Sequence, residues 1–177
     1  MPSAELSPAL VRAESLIRSI PDYPEPGILF RDITPLLADH DALRATTEAL
    51  VEPFAGTFDV VAGIEARGFI LAGAAAMAAG VGFVPLRKAG KLPRPAASVD
   101  YALEYGTATI EMHDDLPAGT RILLIDDVLA TGGTLAAGRQ LVERLGYSVA
   151  GISVLFEIDG LGGRELIGDL HTVFHSA

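Results

Sequence analysis

Short apolar runs alternate along the chain with segments in which apolar residues recur every three or four positions. Leu10, Ala13, Ile17 and Ile20 lie at helical spacing behind Ser7 and Pro8, a cap residue followed by proline in the first turn. That pattern predicts a helix to about residue 20. Pro21, Pro24, Pro26 and Gly27 end it, and the segment through Phe30 and Arg31 reads as irregular. Asp41 is placed to cap a second helix ending near Pro53.

Strands and helices then alternate. Residues 58–64 and 82–87 read as strands around a helix at 69–79, and residues 88–98 as a loop with glycine, two prolines and charges. Residues 99–104 and 107–112 suit a hairpin turning at 105–106. The run Ile122 to Ile125 is apolar at every position, as a strand covered on both faces requires. A helix from near Thr134 to about Leu145, a strand at 147–157 and a short helix at 161–167 complete the order. Strands joined by crossover helices imply an α/β fold, a mainly parallel sheet flanked by helices, with all 177 residues in one domain.

Asp126 and Asp127 stand at the end of that apolar run, where open α/β sheets place ligands. A turn rich in glycine and hydroxyls follows: Ala130, Thr131, Gly132, Gly133, Thr134. Glycines admit close backbone approach, and the next helix directs unpaired N–H groups at an anion. Two adjacent acids would repel that anion unless a diol or a metal lay between. A ribose 5-phosphate has this geometry: hydroxyls for the acids, phosphate for the turn. No lysine follows the glycines, so a nucleoside-triphosphate loop does not fit, and the dinucleotide fingerprint fails on spacing.

The stretch from Ile122 to Thr134 resembles the 5-phosphoribosyl-1-pyrophosphate (PRPP) motif of type I phosphoribosyltransferases, with wording nearest the adenine-specific members. Residues 26–37 (PGILFRDITPLL), 63–69 (GIEARGF), 87–93 (RKAGKLP) and 103–106 (LEYG) match the same group in order. The resemblance implies a small N-terminal hood at about 21–40 and a hairpin flap at about 88–105. It implies transfer of phosphoribose from PRPP to N9 of adenine, giving AMP and pyrophosphate. The same chemistry on xanthine or hypoxanthine, or a PRPP-sensing regulator on this fold, are the alternatives.

The resemblance also implies roles. Ala130 to Thr134 would hold the 5-phosphate, Asp126 and Asp127 the ribose hydroxyls, and Glu65, Ala66 and Arg67 the diphosphate across a strained, even cis, peptide. Arg87 and Lys88 would form a second clamp, with Lys91 approaching from the flap. Phe30 would stack on adenine while the backbones of Leu29 and Arg31 read its edge. Glu104, beside Tyr105 in the flap, would exchange a proton with N7. Magnesium would arrive with PRPP, held through water near Asp126 and Asp127, with no direct protein ligand expected. A homodimer is implied as well.

Charge and composition narrow the alternatives. A net charge of −10 argues against a nucleic-acid partner. Cations nonetheless gather at Arg87, Lys88, Lys91 and Arg94, which include both lysines, a local field suited to a small polyanion. The absence of cysteine excludes thiolate chemistry. Residues 68–86 carry no charge, but Gly80 and Pro85 interrupt them, so a buried helix and strand are expected rather than a membrane span. With no evident signal peptide, a cytoplasmic protein is expected. His113, Asp114 and Asp115 read as solvated turn residues rather than metal ligands.

Overall fold

The computed structural model describes residues 6–103 and 106–175, in two compact units, residues 1–49 and 50–177. The first unit holds α1 (Pro8–Ser15), β1 (Arg18–Pro21), β2 (Leu29–Asp32), α2 (Thr34–Ala38) and most of α3 (His40–Val51). Ser7 caps α1 by accepting from the Leu10 N–H.

The helix expected to reach residue 20 stops at Ser15. Residues 18–21 instead pair antiparallel with 29–32, matching Ser19 to Arg31 and Ile20 to Phe30. Helical periodicity could not reveal this pairing, because the proline-rich connection brings the two strands together. The segment expected to be irregular is therefore partly strand. The second cap differs too: Asp39, not Asp41, accepts from the backbone N–H of Ala42 at 3.0 Å.

The second unit follows the expected alternation: β3 (Val60–Ile64), α4 (Arg67–Ala79), β4 (Gly82–Lys88), β5 (Ala97–Leu103), β6 (Gly106–Met112), β7 (Arg121–Leu129), α5 (Gly133–Arg144), β8 (Ser148–Glu157), α6 (Gly163–Ile167) and β9 (His171–His175). Seven strands form one sheet in the order β5-β6-β4-β3-β7-β8-β9, with β4-β3-β7-β8-β9 parallel. Ile122, Leu123, Leu124 and Ile125 are fully buried, as a central strand covered on both faces demands.

Two glycines reveal what covers each face. A Cβ on Gly63 would lie 2.6 Å from Ala72 of α4, and one on Gly138 of α5 would meet Leu124, Leu86 and Ile64. Neighbouring strand residues point to opposite faces, so α4 and α5 sandwich the sheet. The hairpin is built into the same core, where Val99, Ile110 and Met112 are buried with Leu141. Its first strand begins at Ala97, inside the segment expected to be loop. Residues 171–175, for which no element was expected, add β9 beside β8. No described helix is long and apolar enough to cross a membrane.

Candidate active site

The chemistry collects at the carboxyl ends of β3, β4 and β7. The β7 ladder is stepped: pairing with β3 ends at Ile125, whereas pairing with β8 continues to Leu129. Asp126 and Asp127 therefore occupy a strand held on one side only. Both are 8% exposed, and the Asp127 N–H donates to Asp126 Oδ1 at 2.9 Å. Burial, and then the neighbouring charge of Asp127, push the Asp126 carboxyl well above its ordinary value.

Arg67 opens α4, and its Nη2 lies 2.7 Å from Asp127 Oδ2. A cation at a helix N-terminus opposes the helix dipole, and here a carboxylate of the site offsets it. Gly68 follows, so near β7 that an added Cβ would stand 2.8 Å from Asp126 Oδ1. The Glu65–Ala66 peptide is cis, the form the resemblance implied.

Glu65 ties this loop to the next strand. Its Oε2 accepts from Arg87 Nε at 3.0 Å and from the Lys88 N–H at 2.9 Å. The Arg87 hydrogen bond holds the Glu65 carboxyl below its ordinary value. The Arg87 guanidinium also rests 5.8 Å from the centre of the Phe69 ring. Lys91 is exposed in the segment after β4, its backbone N–H donating to the Lys88 carbonyl oxygen at 3.1 Å.

The turn from Ala130 to Thr134 leads into α5, one residue earlier than expected. Gly132 is its N-cap at φ +83°, and Gly133 its first residue. That φ favours glycine, and a Cβ at Gly132 would also stand 3.0 Å from the Gly163 carbonyl oxygen. Ala102 of β5 reaches the same turn, its carbonyl oxygen 3.2 Å from a Cβ built on Gly133.

Asp126 and Asp127 offer oxygen donors, and no group of three possible metal ligands gathers among the described residues. This donor set fits a hard cation that keeps most of its water, such as magnesium. His113 lies elsewhere, its Nε2 2.8 Å from the Pro93 carbonyl oxygen and its Nδ1 3.4 Å from Asp115.

In the first unit, Leu29, Phe30 and Arg31 follow one another along β2. Phe30 meets Tyr23 edge-on with ring centres 5.2 Å apart. Leu29 and Arg31, two residues apart, direct their backbone groups to the same strand edge. Glu104 and Tyr105 lie outside the described residues.

Sequence reading missed Glu157, Gly163 and Arg164. Glu157 is buried at the end of β8 and paired with Arg164 of α6, whose neighbour Gly163 touches Ala130 at the start of the glycine turn. The adjacent glycines at 162 and 163 were the available signal of a close approach.

A family model, the phosphoribosyl transferase domain, matches residues 33–171. An adenine phosphoribosyltransferase of Renibacterium salmoninarum is 61% identical over 155 residues, covering 87% of this chain and 85% of its own length. Among solved structures, that of the Rhodothermus marinus adenine phosphoribosyltransferase superposes with a TM-score of 0.89 at 50% identity, covering 95% of this chain and 98% of its own. The Giardia lamblia enzyme bound to 9-deazaadenine gives 0.90 at 40% identity, covering 97% and 99%. A buried carboxylate pair in the last half of β7, a glycine-capped turn after it and likeness over most of the length lead to one conclusion: this chain belongs to the adenine phosphoribosyltransferases of the phosphoribosyltransferase family.

Proposed function

We propose that this chain transfers 5-phosphoribose from PRPP to N9 of adenine, releasing pyrophosphate and AMP in purine salvage. One observation carries the reading: the buried Asp126–Asp127 pair leads directly into the glycine-capped turn that opens α5. Amides and hydroxyls of residues 130–134 hold the 5-phosphate, and the two carboxylates take the ribose hydroxyls. Their negative charge also favours the oxocarbenium character that develops at the anomeric carbon.

Arg67 faces the departing diphosphate, with Arg87 and Lys88 as the second clamp and Lys91 drawn in from the flap. Glu65 acts through others, fixing Arg87 and the end of β4. Magnesium, when bound through water near Asp126 and Asp127, neutralises charge on the diphosphate. Phe30 stacks on the purine, and the Leu29 and Arg31 backbones read its edge. Glu104 takes the proton from N7 as N9 attacks the anomeric carbon and the bond to pyrophosphate breaks, and water kept from the site cannot hydrolyse PRPP.

Adenine, hypoxanthine, xanthine and guanine assayed with PRPP under matched conditions test the base. Adenine should be strongly preferred, and preference for a 6-oxopurine rejects the assignment. In the same assay Glu104→Ala should lower kcat about 10²- to 10⁴-fold, the span of a lost general acid or base. Undiminished turnover would remove Glu104 from the reaction.

The same reading includes a homodimer in the cytoplasm, with no nucleic-acid or membrane partner. Ile70 and Met77 lie seven residues apart on one face of α4, 49% and 82% exposed, with Gly73 open between them. A second copy is the occupant that fits this uncharged face. Met77→Arg with Ile70→Arg should halve the mass measured by sedimentation equilibrium. An unchanged mass would place the contact elsewhere.

A further inference from the structure

We propose that the Glu157–Arg164 pair is a positioning device, which holds α6 against the 5-phosphate turn and so sets the affinity for PRPP. The inference rests on the phosphate role of residues 130–134 given above.

α6 has five residues, too few to be stable as an isolated helix, so its place is set by what grips it. Arg164 supplies the grip. Its Nε donates to Glu157 Oε1 at 2.8 Å and Oε2 at 3.1 Å, and its Nη2 also pairs with Oε2. Nη2 reaches Thr172 Oγ1 at 2.8 Å and Nη1 the Leu170 carbonyl oxygen at 3.3 Å. Thr172 in turn donates to Glu157 Oε2 at 3.1 Å, and His175 Nδ1 stands 3.5 Å from that oxygen. One guanidinium thus fastens α6 to both β8 and β9.

The held helix bears directly on the turn. A Cβ on Gly163 would lie 2.2 Å from the Ala130 carbonyl oxygen and 2.9 Å from the Leu129 side chain. A Cβ on Gly132 would lie 3.0 Å from the Gly163 carbonyl oxygen and 3.1 Å from Ile167. Backbone packs on backbone at both ends of the Ala130–Gly132 segment. From the other end of α6, the Ile167 carbonyl oxygen accepts from Arg139 of α5 at 3.0 Å. Amides that bind an anion must keep their directions, and α6 is the wall that fixes them.

Glu157 is buried but the Arg164 side chain is 42% exposed, and a pair so open to solvent adds little to stability. Placement of the turn is the function that remains for it. Glu157→Gln keeps the shape and removes the charge. It should raise KM for PRPP about tenfold, the loss from one misdirected hydrogen bond to a charged group, with KM for adenine and kcat within about threefold. Gly163→Ala, which drives a methyl against the Ala130 carbonyl while keeping both charged side chains, should give the same split. Arg121→Ala serves as control, because it breaks the distant Asp59–Arg121 pair and should lower Tm without moving KM. Thr131→Ala tests the turn itself.

If Thr131→Ala raises KM for PRPP while Glu157→Gln and Gly163→Ala leave it unchanged, the positioning role is overturned and the phosphate turn stands. If all three leave it unchanged, both fail. A rise in every variant that merely follows its fall in Tm, Arg121→Ala included, also overturns the proposal.

Discussion

Asp126→Asn is expected to yield a protein that melts later and reacts far more slowly. The carboxyl is buried beside Asp127, and both desolvation and that charge oppose its ionisation. A folded-state value raised above the ordinary 3.8 means that the folded protein binds the extra proton between the two values. The contribution of Asp126 therefore lowers stability as pH climbs from about 4 to the folded value. Asparagine removes it, so the gain in Tm should grow over that range, about 2–4 °C for each kcal/mol recovered in a chain of this size. Under the proposed function the same change also removes a carboxyl acceptor for a ribose hydroxyl, costing about 10- to 100-fold in kcat/KM for PRPP. Melting scans across pH and steady-state kinetics check both halves. A lower Tm at every pH would show that Asp126 stabilises the fold.

Arg67→Gln should slow the chemical step itself. The guanidinium lies beside Asp127 at the head of α4, where a leaving diphosphate would accumulate charge. Removing one such preorganised donor lowers kcat about 10²- to 10³-fold. An interaction made only in the transition state lowers kcat and kcat/KM equally, and that parallel loss is expected. Arg67→Lys should restore only part of it, because an ammonium lacks the fork that spans two oxygens. A rise in KM for PRPP at unchanged kcat would mean that Arg67 holds only the bound substrate.

The parts of the fold legible in the sequence were those whose pattern is local. Four consecutive apolar residues at 122–125 marked the central strand, and the glycine turn after Asp127 marked the helix start to within a residue. What stayed hidden depends on partners distant in sequence. Residues 18–21 become strand because residues 29–32 are there to pair with, which no periodicity records. Asp39 rather than Asp41 caps α3 because the turn after α2 aims its side chain at Ala42. The resemblance gave Arg67 a diphosphate role, but sequence could not say that the Asp127 carboxylate already stands beside it. Glu157 and Arg164 look like ordinary surface charges until the folded chain sets one at a strand end and the other across from it.

The stepped ladder of β7 leaves its second half held by different means on its two sides. From Asp126 onward the strand pairs with β8 alone, so changes in the second half of β8 act directly on the carboxylate pair. On the β3 side the contact comes from the head of α4 rather than from strand pairing: Arg67 meets Asp127 at 2.7 Å, and a Cβ on Gly68 would lie 2.8 Å from Asp126 Oδ1. An engineer altering this corner should therefore leave both Gly68 and the second half of β8 as they are.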